Sequence, residues 1–503
     1  MNTKLLRQKI LDLAIRGKLT DQRKSDGTAR ELLEQITASR VLEQNAKSAK
    51  SKNLVPIVPL DKSDAPFEIP NSWEWIKLGD VGNWQSGTTP SKSNLDYYRN
   101  GTIPWLNTGD LNDGIVSQIP KMVTEKALKE TSLRMNDADS VCIAMYGATI
   151  GKLGILPIPA TTNQACCVCN KQVNFVERMW LFYFLMFHKQ EFIEAGFGGA
   201  QPNISKEKIV STAFPLPPLT EQQRIIAKIE EAFAEIDAVE KNKELLKTHI
   251  KQTRQKILDL AIHGKLVPQD ENDEPACVLL EKILQEKAQT DNKKSPKKKK
   301  TDDIATSDNR PYKKNGSVSA EDAPFDIPNS WEWTKLGDVC IINPENKPDS
   351  DIEVSFVGMT DIEGGFANRF KSNTRQWDLV KSGFTRFKDG DIAVAKITPC
   401  FENRKSVIFT DLKNGYGAGT TELHILRTTV STCSKYVFWF IKSDFFIQNG
   451  IGHFSGAVGQ QRVGKDVFQN TYFPLPPLAE QKRIASKVES LFSVLDAMEK
   501  GCD

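Results

Sequence analysis

The chain has 503 residues, 39% of them hydrophobic and 26% charged, a balance typical of a soluble globular protein with two to four domains. A formal charge of +3 is nearly neutral, so any basic surface that binds nucleic acid has to be local. The longest apolar run, Trp180–Phe187, is far too short to span a membrane, and the N-terminus lacks the apolar region of a signal peptide. We therefore expect a cytoplasmic protein with no membrane partner.

The first part of the chain predicts two helices followed by a linker. Apolar spacing indicates a helix over Asn2–Ile15, which ends at Gly17. A second helix is predicted over Thr28–Gln44, with Thr28 as its N-terminal cap. Residues 46–64 contain Lys, Ser and Pro and are typical of a linker.

Two regions, residues 83–213 and 341–472, carry short β-like runs separated by polar turns. In the first region the runs are SVCIAMYG, KLGILPI and ACCVC, and one apolar helix is predicted over Glu177–Phe192. In the second they are EVSFVGM, GDIAVAK, SVIFT and TELHILR, followed by a helix over Lys435–Ile447. Both regions therefore predict a mixed α/β fold. The cysteines of ACCVC lack the paired spacing of a zinc site and are predicted to be buried reduced thiols.

The stretch from Leu219 to Leu266 has no Pro or Gly before Gly264, and its apolar residues recur at steps of three and four. The seam consists of Ile226, Ile229, Phe233, Ile236, Leu246, Ile250, Ile257 and Leu260. This spacing predicts a coiled-coil helix roughly 70 Å long, with a phase slip near residues 239–243. A small domain cannot bury so long a seam, so a second long helix has to lie alongside it.

The chain repeats itself, which supplies that partner. The segments at 8–19, 65–81 and 214–225 return, nearly unchanged, at 255–266, 323–339 and 473–484. Two halves therefore share one framework. The repeated segments include Trp73 and Trp75, which alternate with polar residues as in a strand with one buried face. Because the pair occurs in both halves, a framework role is favoured over the alternative of base stacking.

The positions of the two chain ends extend this symmetry. With a shift of 247 residues Met1 corresponds to Thr248, and with a shift of 259 Asp503 corresponds to Glu244. The chain thus stops within its second long helix and begins almost where that helix would resume. We expect the helices over Glu480–Asp503 and Asn2–Ile15 to lie end to end beside the central helix. The alternative is a tandem duplication without circular closure.

Between the halves, Val278–Lys287 is predicted to be helical, and a charged tract begins with Lys293–Lys300 and continues to about Ala320. A solvated linker is the simpler interpretation of this tract. Lysine runs also contact nucleic-acid phosphates without sequence preference, which remains the alternative.

The order of several short motifs resembles the specificity subunit of type I restriction–modification enzymes, over nearly the whole chain. In the first region these motifs are SGTTPSK (86–92), GTIPWLNTGDL (101–111), AMYGATIGKLGI (144–155), ATTNQA (160–165) and GGAQPNIS (198–205). In the second they are VGMTDI (357–362), AKITPCFENRK (395–405) and GTTELHILR (419–427), while FSGAVGQQRV (454–463) only loosely follows GGAQPNIS. FPLPPLxEQxRI, present twice, resembles the family's junction into its helices.

The resemblance implies a mixed α/β fold in which two target recognition domains are joined by two long antiparallel coiled-coil helices, in a circular pseudo-twofold arrangement. The implied parts are N-terminal helices and linker (1–64), first recognition domain (65–218), central long helix and short helix (219–290), charged linker (291–322), second recognition domain (323–477) and C-terminal helix (478–503). It also implies no catalytic activity and no cofactor in this chain. Double-stranded DNA with a bipartite site and two methyltransferase subunits are the implied partners, joined by two restriction subunits where the host encodes them. S-adenosylmethionine, ATP and Mg would belong to those subunits.

Polar groups in Gly-rich loops are the candidates for DNA contact, because Lys, Arg, Thr and Ser suit phosphates while Asn, Gln, Arg and Lys suit base edges. The candidates in the first domain are Thr88, Thr89, Ser91, Lys92, Tyr146, Thr149, Lys152, Gln201 and Asn203. Those in the second are Lys396, Thr398, Asn403, Arg404, Lys405, Thr420, Thr421 and Gln461. The structural alternative is that such residues form turns or bond to their own backbone.

Two other protein classes fit the sequence less well. A stand-alone DNA-modifying enzyme would need an NPPY-like tetrapeptide, whereas the proline pairs here are LPPL. A nuclease would need clustered carboxylates, and Asp389, Asp391 and Lys396 only approach that pattern. A coiled-coil scaffold would explain the helices but not two divergent domains with polar loops on matched frames.

Overall fold

The computed structural model describes residues 2–35, 57–170, 174–196, 203–292, 323–348, 351–457 and 459–501. The chain divides into two compact units, Met1–Asn242 and Lys243–Asp503. Each unit combines helices with small sheets, which confirms the predicted mixed α/β class. The charged tract that begins at Lys293 and most of the 46–64 linker lie outside the described residues. None of the described helices has the length and apolar character needed to cross a membrane.

Among its described residues, the first unit contains five helices and the first part of a sixth. They are α1 (Thr3–Ile15), α2 (29–35), α3 (Glu125–Glu130), α4 (Arg178–Gly196), α5 (Lys206–Ser211) and α6 (Leu219–Ile262). The strands are β1 (Glu74–Lys77), β2 (Asn83–Ser86), β3 (Ile103–Leu106), β4 (Gly114–Ile115), β5 (Met122–Val123), β6 (Val141–Ala144), β7 (Leu153–Ile155), β8 (Thr161–Thr162), β9 (Cys166–Asn170) and β10 (Ala213–Leu216). They form a five-stranded sheet in the order β2-β9-β6-β7-β4, a three-stranded sheet β5-β3-β8 and the pair β1-β10.

The second unit takes up the remainder of α6 and adds seven helices. These are α7 (Ala276–Asn292), α8 (Leu336–Val339), α9 (Trp377–Val380), α10 (Ser434–Ile441), α11 (Asp444–Ile451), α12 (Lys465–Asn470) and α13 (Leu478–Gly501). The strands are β11 (Glu332–Lys335), β12 (Cys340–Ile342), β13 (Glu353–Val357), β14 (Asn373–Gln376), β15 (Thr385–Lys388), β16 (Ile392–Ala395), β17 (Ser406–Ile408), β18 (Tyr416–Gly419), β19 (Leu423–Thr428), β20 (Phe454–Ser455), β21 (Arg462–Val463) and β22 (Tyr472–Leu475). Their sheets run β12-β19-β16-β17 and β14-β13-β18-β15, with the pairs β11-β22 and β20-β21.

Helix α6 confirms the long helix of the sequence, with 44 residues and thus a length of about 66 Å. In the first unit it packs antiparallel to α1, since Arg7 bonds to Asp237 and Glu240 near the far end while Arg224 pairs with Asp26 near the start. In the second unit the later part of α6 packs in the same way against α13. There Arg254 pairs with Asp496 and Glu499, and Arg483 pairs with Asp273.

Most of the predicted seam of α6 packs as expected. Ile229, Ile236, Ile250 and Ile257 are buried, and Ile226, Phe233 and Leu260 are half-buried. The placement of Leu246 in the seam is wrong, because its side chain is 36% exposed. The apolar stripe changes phase where α6 passes from one unit to the other, and this leaves Val239, Leu245 and Leu246 at the surface.

The repeated segments build the same buried junction in each unit. In the first, the indole nitrogen of Trp73 donates to the carboxylate of Glu221 over 2.9 Å, and Gln22 donates to the other oxygen of that carboxylate. In the second, Trp331 donates to Glu480 over 2.9 Å, and Gln269 takes the place of Gln22. Both carboxylates are 1% exposed. The tryptophans of the repeat are therefore framework residues, as predicted, and are not available for base stacking.

Glycine is required where α1 and the α6 helix end. Gly17 and Gly264 have φ values of +65° and +66°, in the left-handed region that side chains rarely adopt. A Cβ atom at Gly17 would lie 2.4 Å from Pro70, and one at Gly264 would lie 2.3 Å from Pro328. These two residues confirm the predicted helix ends and let the chain turn closely beneath the tryptophan junction.

Helix α10 is shorter than the sequence predicts, and α2 begins at the predicted cap. The single helix predicted over Lys435–Ile447 is wrong, because α10 ends at Ile441 and α11 begins at Asp444. Ser443 has an extended backbone, and its hydroxyl accepts the amide of Phe446 over 3.3 Å, which starts a new helix. Thr28 does cap α2, since its hydroxyl accepts the Glu31 amide over 3.2 Å. The remainder of that predicted helix lies outside the described residues.

Candidate nucleic-acid interface

Four loops of the first unit converge at one end of its five-stranded sheet. The loop after β2 is held by Thr88, whose amide donates to the carbonyl of Thr162 over 2.9 Å. The loop between β6 and β7 begins at Met145, whose amide donates to Ala165 over 2.7 Å and whose carbonyl accepts the amide of Ile204 over 2.8 Å. Three of these segments adjoin the neighbouring strands β2, β9 and β6, and the fourth, at Asn203 and Ile204, joins them through its bonds to the loop after β6.

All of the described candidates in this unit lie on those loops. Thr89, Ser91, Lys92 and Asn203 are exposed, and Thr88, Tyr146, Thr149 and Lys152 are half-buried. Gln201 lies outside the described residues. Two hydroxyls have partners within the protein, since Thr88 donates to the Ser132 carbonyl over 3.2 Å and Ser91 shares a 2.8 Å bond with Ser93. Among these exposed candidates, Lys92 carries the positive charge that suits a phosphate, and Asn203 carries the amide that suits a base edge.

The second unit brings its loops together at the corresponding place. The loop between β16 and β17 starts at Lys396. Its backbone amide donates to the backbone carbonyl of Glu422 over 3.0 Å, and its backbone carbonyl accepts the Val463 amide over 2.9 Å. Two residues later, the amide of Thr398 donates to the carbonyl of Gln461 over 3.0 Å. The segments around residues 396–405, 419–422 and 461–463 therefore form one surface.

The FSGAVGQQRV segment of the second unit follows the GGAQPNIS sequence only loosely. It nevertheless occupies the position in its unit that GGAQPNIS occupies in the first. In the first unit an isolated antiparallel bridge joins Tyr146 to Asn203, and in the second the matching bridge joins Ile397 to Arg462. Each bridge ties the loop after a central strand to the segment that precedes a short helix. Topology relates the two segments more closely than their sequences do.

The candidates of the second unit differ in how far their side chains are already engaged. Asn403 and Thr421 are exposed, and Lys396, Thr398, Thr420 and Gln461 are half-buried. The ammonium of Lys405 donates to the carbonyl of Met359 over 2.7 Å. The side chain of Arg404 is only 11% exposed, and its guanidinium pairs with Asp444. Arg404 and Lys405 are thus held inside the domain, although their residue type suggested surface contacts.

Both sets of loops lie within stretches of the chain that match a known family. The model of the type I restriction modification DNA specificity domain matches residues 70–248 and 328–502, and so covers most of the chain. The chain belongs to the type I restriction–modification DNA specificity family. Both matched ranges contain one set of convergent loops and the helix that follows it.

Curated relatives agree with this family. The type I restriction enzyme EcoAI specificity subunit of Escherichia coli is 43% identical over 253 residues, which cover 50% of this chain and 41% of the relative. The EcoBI specificity subunit, also of Escherichia coli, is 22% identical over 450 residues, or 86% of this chain and 82% of the relative. The stretch matched to EcoAI therefore spans about two fifths of that relative's length.

Among solved structures, one described as "Structural basis underlying complex assembly and conformational transition of the type I R-M system" has a TM-score of 0.55 at 17% identity. It covers 87% of this chain and 94% of the other chain. At this identity the match establishes a shared fold.

One residue beside the second set of loops, Arg462, was not among the candidates predicted from the sequence. Arg462 of this specificity-family chain is 41% exposed and makes a forked ion pair with Glu422, with N–O distances of 2.9 and 2.8 Å. Arg462 lowers the pKa of Glu422. The sequence signal that could have identified Arg462 is its position directly after the candidate Gln461 in the GQQRV segment. The bridge to Ile397 is what shows that it lies at the loop surface.

The carboxylates that came closest to a nuclease pattern have other roles. Asp391 is fully buried and accepts two bonds of 2.7 Å from the guanidinium of Arg427. Asp389 accepts the amide of Leu412 over 3.0 Å. Across the parts of the chain that the structure describes, no group of three His, Cys, Asp or Glu residues is arranged to hold a metal ion. Cys166, Cys167 and Cys169 are buried free thiols, as predicted.

His424 supports the second set of loops from within the core. One ring nitrogen, Nε2, lies 3.1 Å from the carbonyl of Val463, and Nδ1 lies 3.1 Å from the side-chain amide of Asn343. A carbonyl can only accept, so Nε2 carries the proton and Nδ1 accepts from the amide. Burial is the main reason that the pKa of His424 falls to about 4, and Lys396 and Lys465 lower it further.

This arrangement predicts a loss of stability in mild acid. The folded pKa lies below the usual 6.5, so protonation favours the unfolded chain as the pH falls from about 6.5 towards 4. We expect the free energy of unfolding to drop by ~2 kcal/mol between pH 7 and pH 5 from this residue alone. Denaturant unfolding at both pH values should show a smaller drop for His424→Gln. An equal drop in both proteins would contradict the assignment.

Proposed function

We propose that this chain is the DNA-specificity subunit of a type I restriction–modification complex, in which each unit reads one half of a split, asymmetric DNA site. One observation carries the proposal: the two units share a framework down to individual hydrogen bonds, yet present different loops at the same place. The Trp73–Glu221 and Trp331–Glu480 junctions are alike. The loops at 145–152 and 396–405 are unrelated in sequence. A constant frame with two different readers suits a target with two different halves.

The chemistry of the loops favours DNA as the ligand. Lys92 and Asn403 are exposed on the two loop surfaces, and Lys152 and Lys396 are half-buried there. Lysines neutralise phosphates and set the register, while asparagine and glutamine can read base edges in a forked geometry. Linking two such readers in one chain raises the affinity through effective concentration, but only for sites whose two halves lie at the spacing that the chain can span. In this proposal the continuous helix α6 sets that spacing.

Exposed apolar residues on the helices support docking of methyltransferase subunits. Val239 on α6 is 45% exposed, and Met498 on α13, its equivalent under the 259-residue shift, is 53% exposed. In this proposal two copies of one partner dock along the helices, and this matched pair of apolar positions lies within the two docking surfaces. S-adenosylmethionine, ATP and Mg would be bound by the methyltransferase and restriction subunits, and this chain would carry no catalytic group. The ion pair between Asp391 and Arg427 supports that view over a stand-alone nuclease.

The test is long-read methylome sequencing of a host that expresses this chain together with the methyltransferase subunit encoded beside it. We expect one new split motif, with a fixed gap between its halves and methyladenine in both. The same host with the methyltransferase subunit alone is the control and should show no such motif. A well-formed complex that adds no methylation, or one that methylates a continuous motif, would contradict the proposal.

A further inference from the structure

The second unit contains a lysine in an unusual place. Lys442 lies at the break between α10 and α11, and its side chain is fully buried. Its Nζ atom donates to the carbonyl of Gly365 over 2.8 Å and to the carbonyl of Arg404 over 2.6 Å. Its hydrogen-bond partners among the described residues are these carbonyls and include no carboxylate, and burial holds its pKa well below the usual range. A neutral amine has two hydrogens, which is enough for both carbonyls, so the contact needs no charge.

The side chain of Arg404 in turn donates to the backbone of Lys442. Its Nε donates to the backbone carbonyl of Lys442 over 3.0 Å, and its terminal nitrogen pairs with Asp444. The guanidinium also lies over the ring of Phe366, 5.2 Å from the centroid. Arg404 itself has a φ of +51°, so the chain turns sharply at this residue. Each side chain therefore binds the backbone of the other residue.

The helix break makes this exchange possible. In a continuous helix the carbonyl of Lys442 would accept the amide of Phe446, whereas here that amide bonds to the Ser443 hydroxyl and the carbonyl accepts from Arg404. A third segment joins the contact, because the amide of Gly365 donates to the carbonyl of Asn403 over 2.7 Å. The end of α10, the 363–366 loop and the 402–405 segment are fastened together by these bonds.

The first unit shows what replaces the contact. Trp180 and Tyr436 are equivalent, since each donates from α4 or α10 to the carbonyl of a proline, Pro215 or Pro474. Trp180 and Tyr436 are 256 residues apart, and the same shift places Met186 at the position equivalent to Lys442. Helix α4 continues through Met186 to Gly196. The lysine contact is therefore a property of the second unit and not of the shared framework.

We propose that Lys442 and Arg404 are positioning residues that hold the 396–405 loop in the shape that reads the second half-site, and that neither contacts DNA. This inference rests on the proposed function. Arg404 is then not one of the phosphate contacts that its residue type suggests. Lys442, which was not a candidate from the sequence, becomes a residue that supports the second half-site. Lys396, Thr398 and Asn403 lie on the loop that the contact fixes and remain the DNA-facing candidates.

The experiment measures DNA binding by the complete complex at several salt concentrations. The probes are a duplex with the motif found in the methylome and two duplexes altered in one half-site each. Lys442→Met and Arg404→Gln should each lower the discrimination against an altered second half-site by ~10-fold or more, because a misplaced loop loses base contacts. Discrimination at the first half-site should not change. The slope of log Kd against log salt should stay at the wild-type value.

The salt slope separates positioning from direct contact. Loss of one phosphate contact would reduce the slope by ~0.9, so such a reduction in Arg404→Gln would overturn the proposal. Arg404→Lys keeps the charge but not the fork; it should lose discrimination as Arg404→Gln does, whereas a phosphate contact would survive. Unchanged second-half discrimination in both Lys442→Met and Arg404→Gln would equally overturn it.

Controls keep the result clear of folding effects. Lys442→Met introduces the residue that the first unit carries at this position, and thermal unfolding checks that the variant folds. If it does not, Asp444→Asn releases Arg404 at a carboxylate that is 48% exposed, and it should give the same loss of discrimination. Lys381→Gln removes a charge from an exposed pair in the same unit and should change nothing. Absence of discrimination in the wild-type complex would refute the proposed function itself.

Discussion

Replacement of residues 83–213 by the corresponding segment of a family member with a different specificity is expected to change the first half-site completely and to leave the second unchanged. The segment can be exchanged because it enters and leaves the frame through paired strands. Strands β1 and β10 are antiparallel, with Lys77 opposite Ala213 and Glu74 opposite Leu216. The junction between Trp73 and Glu221 lies outside the exchanged residues. The frame therefore keeps its own contacts whatever loops it carries.

Methylome sequencing of the hybrid measures this outcome. Each half of the motif and the gap are compared with those of the parent. The reciprocal hybrid, with residues 341–472 exchanged, is the matched control and should change only the second half. Changes in both halves from a single exchange would show that the units do not read DNA independently.

Glu221→Ala is expected to destabilise the first unit by ~2 kcal/mol, and Glu480→Ala to destabilise the second by a similar amount. Each substitution leaves a buried indole N–H without its acceptor, which costs ~1 to 3 kcal/mol. Gln22 and Gln269 are exposed, so their amides bond to water after the carboxylate is removed. The gain from removing the buried carboxylate is smaller, although burial raises the pKa of both Glu221 and Glu480. The equal effects follow from the equal geometry of the two junctions.

Hydrogen exchange under native conditions assigns each loss to its unit. Protection should fall around Trp73 in Glu221→Ala and around Trp331 in Glu480→Ala. Glu231→Ala removes an exposed carboxylate that pairs with Lys228 on the same long helix, and it should cost less than ~1 kcal/mol. Similar losses from Glu231→Ala and Glu221→Ala would mean that the buried junction has no special role.

The local structure was largely predictable. Helix α1, the long helix α6 and strands such as β6, β9, β16 and β19 appear where periodicity placed them, since these elements depend on nearby residues and on which face is apolar. The break at Ser443 was missed because the apolar run of α10 and α11 continues through it, and a capping hydroxyl carries little weight in such a pattern. Leu246 was misplaced although the phase slip near residues 239–243 was predicted, because apolar spacing does not show at which residue burial resumes after the slip.

The candidate site was predictable as a set of loops but not as a set of side chains. Motif order indicated the segments at 86–92, 144–155 and 395–405, and the structure brings them to one surface in each unit. Residue type could not show that Arg404 and Lys405 bond to carbonyls or carboxylates of their own domain. Those partners lie at Lys442 and Met359, up to 46 residues away along the chain.

The sequence by itself determined that this protein is two copies of one frame, because duplicated segments keep their residues wherever the frame depends on them. Tertiary structure alone decided which polar loop residues face outward. A lysine or arginine has the same local preferences whether it meets water, a phosphate or a buried carbonyl. The packing of distant segments, such as the end of α10 against the 402–405 turn, decides which of these three partners the side chain meets.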